Sequence, residues 1–200
     1  MLWLALLLWS GAAEAATAPD LCATLAIPAE LDLVCTASPN VPPGGVVIAP
    51  AGGAFAALSR MTVRALDRTG ADDLAWSDPA AWLRRQMTLD MSSYADAMAG
   101  LGDDPDSPFS GEAARTAIDR LRSALAGVAT LPLSACEAPV EDQRRHRWDM
   151  QCTYGAGGLG VSVDLRLLAE GERRWELTMR SANEQRLRHF QAIAGTFQPG

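Results

Sequence analysis

Two hundred residues carry 17 arginines, no lysine and 24 acidic side chains, for a net charge of −7. An acidic chain with no basic stripe is a poor partner for nucleic acid or anionic lipid. Its length is sufficient to bury a core of its own, so cross-links are not needed merely to fold it.

The chain opens on Met1–Trp9, apolar without a break, followed by small residues from Ser10 to Ala18. A membrane-spanning helix needs about 20 predominantly apolar residues, so this run is too short to remain as an anchor. It has the length of a signal-peptide core, and Ala13-Glu14-Ala15 supplies a small-x-small cleavage pattern, with Ala16-Thr17-Ala18 as a second. The expectation is a signal peptide over 1–18, cut near Ala15–Ala18. A mature chain of 19–200 without an integral span would then be exported to a bacterial periplasm. Pro19-Asp20-Leu21 stand before Cys22 where lipid attachment requires small residues, which argues against a lipid anchor.

Cys22, Cys35, Cys136 and Cys152 make an even set, which in an exported protein implies two disulfides. Three pairings are possible. The sequence-local ones, Cys22–Cys35 and Cys136–Cys152, are favoured, each closing a loop worth about 3 kcal/mol in the chain-entropy model. There is no C-x-x-C pair, and His146 and His189 lie far apart, so no metal site and no cofactor are expected.

Short strands are expected at Cys22–Ala26, Val46–Ile48 and Ser59–Asp67, each bounded by proline, glycine or a change of alternation. Ser77-Asp78-Pro79 starts a helix, and Leu83, Met87, Met91, Tyr94 and Met98 form its apolar stripe up to Gly100. Methionine at helical spacing reads as core filling, not as a copper or haem site. Asp103, Asp104 and Asp106 sit in an acidic loop that lacks EF-hand spacing, which reads as a solvated turn. A second helix runs from Ser110 to about Ala126.

The last third is expected to be a three-stranded meander. His146, Trp148, Met150, Cys152 and Tyr154 alternate with polar residues, and the glycine-rich turn Gly155–Gly160 follows. Val161, Val163, Leu165 and Leu167 come next, then a tight turn at Glu170-Gly171-Glu172. Trp175, Leu177 and Met179 complete the set, all three runs presenting one common buried face. Gly155–Gly160 has no Lys-Ser/Thr after it, so a hairpin turn is a better reading than a phosphate loop. Asn183 caps a final helix with Leu187, Phe190 and Ile193 inward, ending near Gly195, and His189 beside Arg188 is placed on its surface. The fold class is α+β: one antiparallel sheet flanked by helices, in a single domain after the signal peptide.

The chain resembles the PsbP-like fold of exported accessory proteins, shared with DcrB-type domains. The residues that carry it are Leu25-Ala-Ile-Pro-Ala-Glu-Leu31, the strand from Met61 to Arg68, Trp82 in the following helix, and the final strand, capped helix and Phe190–Pro199. The resemblance implies an antiparallel sheet with helices against it. It also implies a non-catalytic role, docking on larger and often membrane-bound assemblies.

No G-x-S-x-G elbow, H-E-x-x-H helix or Walker sequence occurs, and cysteines held as disulfides are no nucleophiles, so the chain reads as no enzyme. If the meander's runs share a buried face, then Arg145, Arg147, Arg166, Arg174 and Arg180 share the opposite one, interspersed with Asp149, Asp164 and Glu176. Those arginines are the candidate docking face for an unidentified protein partner, since arginine's planar fork suits carboxylates. Cross-strand ion pairs that support the sheet are reason enough for them without a partner, and that is the favoured reading. Two functions stay open: an accessory protein, or a periplasmic module that binds a small molecule or ion. Neither fixes an oligomeric state.

Overall fold

The structure, a computed structural model, describes residues 18–37, 45–51, 59–87, 135–156 and 159–198. These form an antiparallel sheet with helices packed against it, an α+β arrangement. The eight strands are β1 (Leu33–Ala37), β2 (Val46–Pro50), β3 (Arg60–Ala65), β4 (Ala135–Cys136), β5 (Val140–Asp142), β6 (Arg147–Ala156), β7 (Leu159–Glu170) and β8 (Arg173–Ser181). Their order is β1-β2-β3-β8-β7-β6-β4, with β5 also on β6. The helices are α1 (Ala18–Ala23), α2 (Leu74–Ser77), α3 at 79–87 and α4 (Glu184–Thr196).

Several expectations hold. β2 and β3 cover the predicted second and third strands, and Asp78 accepts the Ala81 N–H (2.9 Å) as the N-cap of α3. The Asn183 side chain accepts the Arg186 N–H at 2.9 Å and opens α4, whose Leu187, Phe190 and Ile193 are buried. Met91, Tyr94 and Met98 of the first helix's expected stripe, the expected second helix and the acidic loop at Asp103–Asp106 fall outside the described residues, as does the expected signal segment before Ala18.

Other expectations are corrected. In the segment read as a strand at Cys22–Ala26, Cys22 and Ala23 instead close a helix and the chain then turns, with the Thr24 and Leu25 N–H groups donating to the Leu21 and Cys22 carbonyls. His146 is not on the apolar face of a strand: it is exposed at φ 48° in the turn before β6, where its carbonyl accepts the Ala169 N–H. The glycine-rich turn is shorter than expected, since the β6–β7 ladder runs on through Gly155↔Gly160 to Ala156↔Leu159.

The largest correction concerns the meander. Directly paired residues share a face of a sheet. Between β6 and β7 the apolar residues match, Met150 with Leu165 and Cys152 with Val163. Between β7 and β8 they do not: Leu165 pairs with Thr178, Leu167 with Glu176, and Asp164 with Met179. The cause is the turn. Glu170 pairs with Arg173, so the hairpin has two residues, with Gly171 at φ 55°, where three were expected. One residue fewer exchanges the faces of everything beyond it.

The sheet therefore carries two cores, one on each face. On the first face Trp148, Met150, Cys152, Val161, Val163, Leu165 and Leu167 pack with Ala75, Trp82, Leu83 and Met87 of α2 and α3. On the second, Met61, Val63, Trp175, Leu177 and Met179 pack with Leu21 of α1 and with Leu187, Phe190 and Ile193 of α4. No helix among the described residues is long and apolar enough to cross a membrane.

Candidate functional site

Alternation gives each strand a polar side, and the exchange of faces brings those polar sides against the rims of the two cores. On the first face Arg64 of β3 reaches Glu176 of β8 and also donates to Asp72 at 2.9 Å, tying the 3-10 turn Gly70–Asp72 to the sheet. Thr178 Oγ1 donates to the other oxygen of Glu176 at 2.9 Å. Burial pushes the Glu176 carboxyl upward in pKa, against the pull of Arg64 and Thr178. Arg180 is buried on this face, and Arg174 lies over the Trp76 ring at 5.8 Å while donating to the Gly171 and Arg173 carbonyls.

On the second face a single carboxylate, Asp149, lies between two arginines: Arg166 Nε at 2.8 Å and Arg147 Nε at 2.7 Å. Asp142 stands 3.9 Å from Arg147 and 3.8 Å from Arg145, which is 71 % exposed beyond the strand. Asp164, 7 % exposed, accepts from Gln191 of α4 at 3.1 Å. Its pKa is raised chiefly by burial, with Arg166 and Gln191 opposing.

The five arginines thus do not share one side. Arg147 and Arg166 lie on the second face, Arg174 and Arg180 on the first, and Arg145 in a turn. Arg147 and Arg166 are already bound to an acid of the chain, so their charge is largely compensated there. The disulfides are Cys22–Cys35, joining α1 to β1, and Cys136–Cys152, joining β4 to β6. They account for all four cysteines, and no thiol is free.

An open site lies where α4 begins. A cleft of about 260 Å³ is lined by Glu30, Leu31 and Leu33 on one side and Asn183, Gln185, Arg186 and His189 on the other. A second cleft, of about 280 Å³, shares Asn183 and Arg186 and continues to Ser59 and Ala182. The cleft exists because two segments diverge: Asp32, at φ 46°, turns the chain into β1, while the Asn183 cap turns it from β8 into α4. Arg186 and His189, three residues apart, present one flank of α4 beside its buried stripe. Both are half-buried.

Arg186 differs from its neighbours. Arg64, Arg147, Arg166 and Arg188 each hold a carboxylate of the chain. No acid among the described residues pairs with Arg186, and Glu30, though it lines the same cleft, forms no ion pair with it. Sequence reasoning passed over this site because Leu31 and Arg186 are distant in the chain. The available signal was the shared helix flank of Arg186 and His189, hidden by reading His189 with its sequence neighbour Arg188. Among the described residues no three acidic, histidine or cysteine side chains gather as metal ligands would. No protein-family model matches the chain, and no curated protein matches it either.

Proposed function

We infer that this chain is an exported, non-catalytic accessory protein that docks on a larger assembly through the end of the sheet where α4 begins. Two intramolecular disulfides belong to an oxidising, extracytoplasmic compartment, and the apolar run at Met1–Trp9 supplies the means of export. The resemblance to PsbP-like accessory proteins points the same way. The observation that carries the docking role is Arg186, a half-buried residue that lines two clefts and forms no ion pair with an acid among the described residues. A partner that brings a carboxylate to this arginine gains a charge-assisted pair that the described residues do not supply. Each cleft is smaller than the roughly 300–1,000 Å³ typical of small-molecule sites, so a residue-sized group from another protein fits better than an enclosed ligand.

Site-specific photo-crosslinking in the exporting cell tests this. A cross-linking side chain at Gln185, in the cleft, should capture a defined protein, while one at the exposed Gln151 on β6 should not. Capture from Gln151 alone would move the docking role to the face of β6 and β7 that carries Arg147 and Arg166. An absence of capture from Gln185 would remove the reading.

A further inference from the structure

We propose that the cleft between Leu31-Leu33 and Arg186-His189 receives a carboxylate side chain, carried on an extended segment of the partner next to an aliphatic residue. This rests on the docking role inferred above and names the chemistry of what docks. Arg186 lines both clefts, so a group entering either one meets this arginine. A guanidinium binds a carboxylate through two parallel N–H···O bonds, a match in shape as well as charge. His189 lies one helical turn further along the same wall, and imidazole keeps at least one N–H donor in either charge state. Leu31 and Leu33 make the facing wall apolar, which suits an aliphatic neighbour of the acid.

The charge count selects among anions. One arginine lines the cleft without an ion pair among the described residues, and Glu30 stands exposed in the same lining. A monoanion is matched by that arginine, whereas a phosphate dianion would keep an uncompensated charge close to Glu30. The site is accordingly built for Asp or Glu on a protein segment, not for a phosphorylated group.

Titration of the whole folded protein, followed by amide NMR shifts, tests this with two probes, N-acetyl-Leu-Glu-amide and N-acetyl-Leu-Gln-amide. The acidic probe should move the amides of residues 31–33 and 183–189 and bind about tenfold more tightly than the neutral one, as a charge-assisted pair requires. Arg186→Gln should abolish that preference with the melting temperature unchanged, and Arg186→Lys should retain part of it. Glu30→Gln should tighten the acidic probe by removing a like charge. Equal binding of the two probes, or a preference that survives Arg186→Gln, overturns the proposal. So does tighter binding of free butyrate or inorganic phosphate than of the acidic peptide. Capture from Gln185 that persists alongside equal peptide binding leaves the docking role standing and removes only the carboxylate. Loss of that capture removes the docking role itself.

Discussion

Asp164 is a carboxylate placed where few carboxylates are found, on the polar side of the interior strand β7 and nearly out of reach of water. Its folded pKa is raised above the unfolded value of about 3.9, chiefly by burial. The folded protein therefore binds this proton more tightly than the unfolded chain does. The stability it contributes is fully present below pH ~3.9 and is lost as pH rises through the window up to the folded pKa. Asp164→Asn keeps an oxygen for the Gln191 N–H but cannot ionise. Urea midpoints measured at steps from pH 4 to 7 should fall with rising pH in the wild type and be flatter in the variant. A variant with the wild-type slope would show that Arg166 holds Asp164 charged throughout.

At the scale of elements, the turn Gly70–Asp72 is fixed to the sheet by one side chain, Arg64, bridging Asp72 and Glu176. Arg64→Met should cost about 3 kcal/mol in chemical denaturation, because it leaves a buried carboxylate without its cation. Adding Glu176→Gln to that variant should recover a large part of the loss. If the single and double variants are equally destabilised, the arginine acts through its packing and not its charge. How far such relations could be read from the sequence depends on their range. Alternation announced β3, β6, β7 and β8, and the Asp78 and Asn183 caps announced α3 and α4, since each signal is local. β1 shows no clean alternation, and β4 and β5 have two and three residues, too short to carry a period. Which arginines would meet which acids depended on the register across Gly171, a one-residue matter that strand patterns do not encode. The cleft at Arg186 brings together segments on opposite sides of the sheet sequence, and only the fold places Leu31 beside α4.

For the molecule as a whole, the two disulfides lie at the two ends of the strand order, one on β1 and one on β4, and on opposite faces. Each spans a short loop, of separation 13 and 16, worth roughly 3 kcal/mol through the unfolded chain. Replacing Cys22 and Cys35 by serine, or Cys136 and Cys152 by alanine, should each lower unfolding stability by about that amount. Both replacements together should act additively, because the sites are far apart. Coupling well beyond additivity would mean that the rims of the sheet communicate through its middle. That middle has a property of its own: β3 pairs with β8, so the seam joining the N-terminal strands to the rest is filled by residues 173–181. Because a chain is made from its N-terminus, the residues of the first core are all present by Leu167, whereas the second core waits for Leu187, Phe190, Ile193 and Phe197. A chain that still lacks residues 173–197 therefore holds β1, β2 and β3 with an open edge on β3 and an unfilled second core, so the seam is among the last parts of the fold to close.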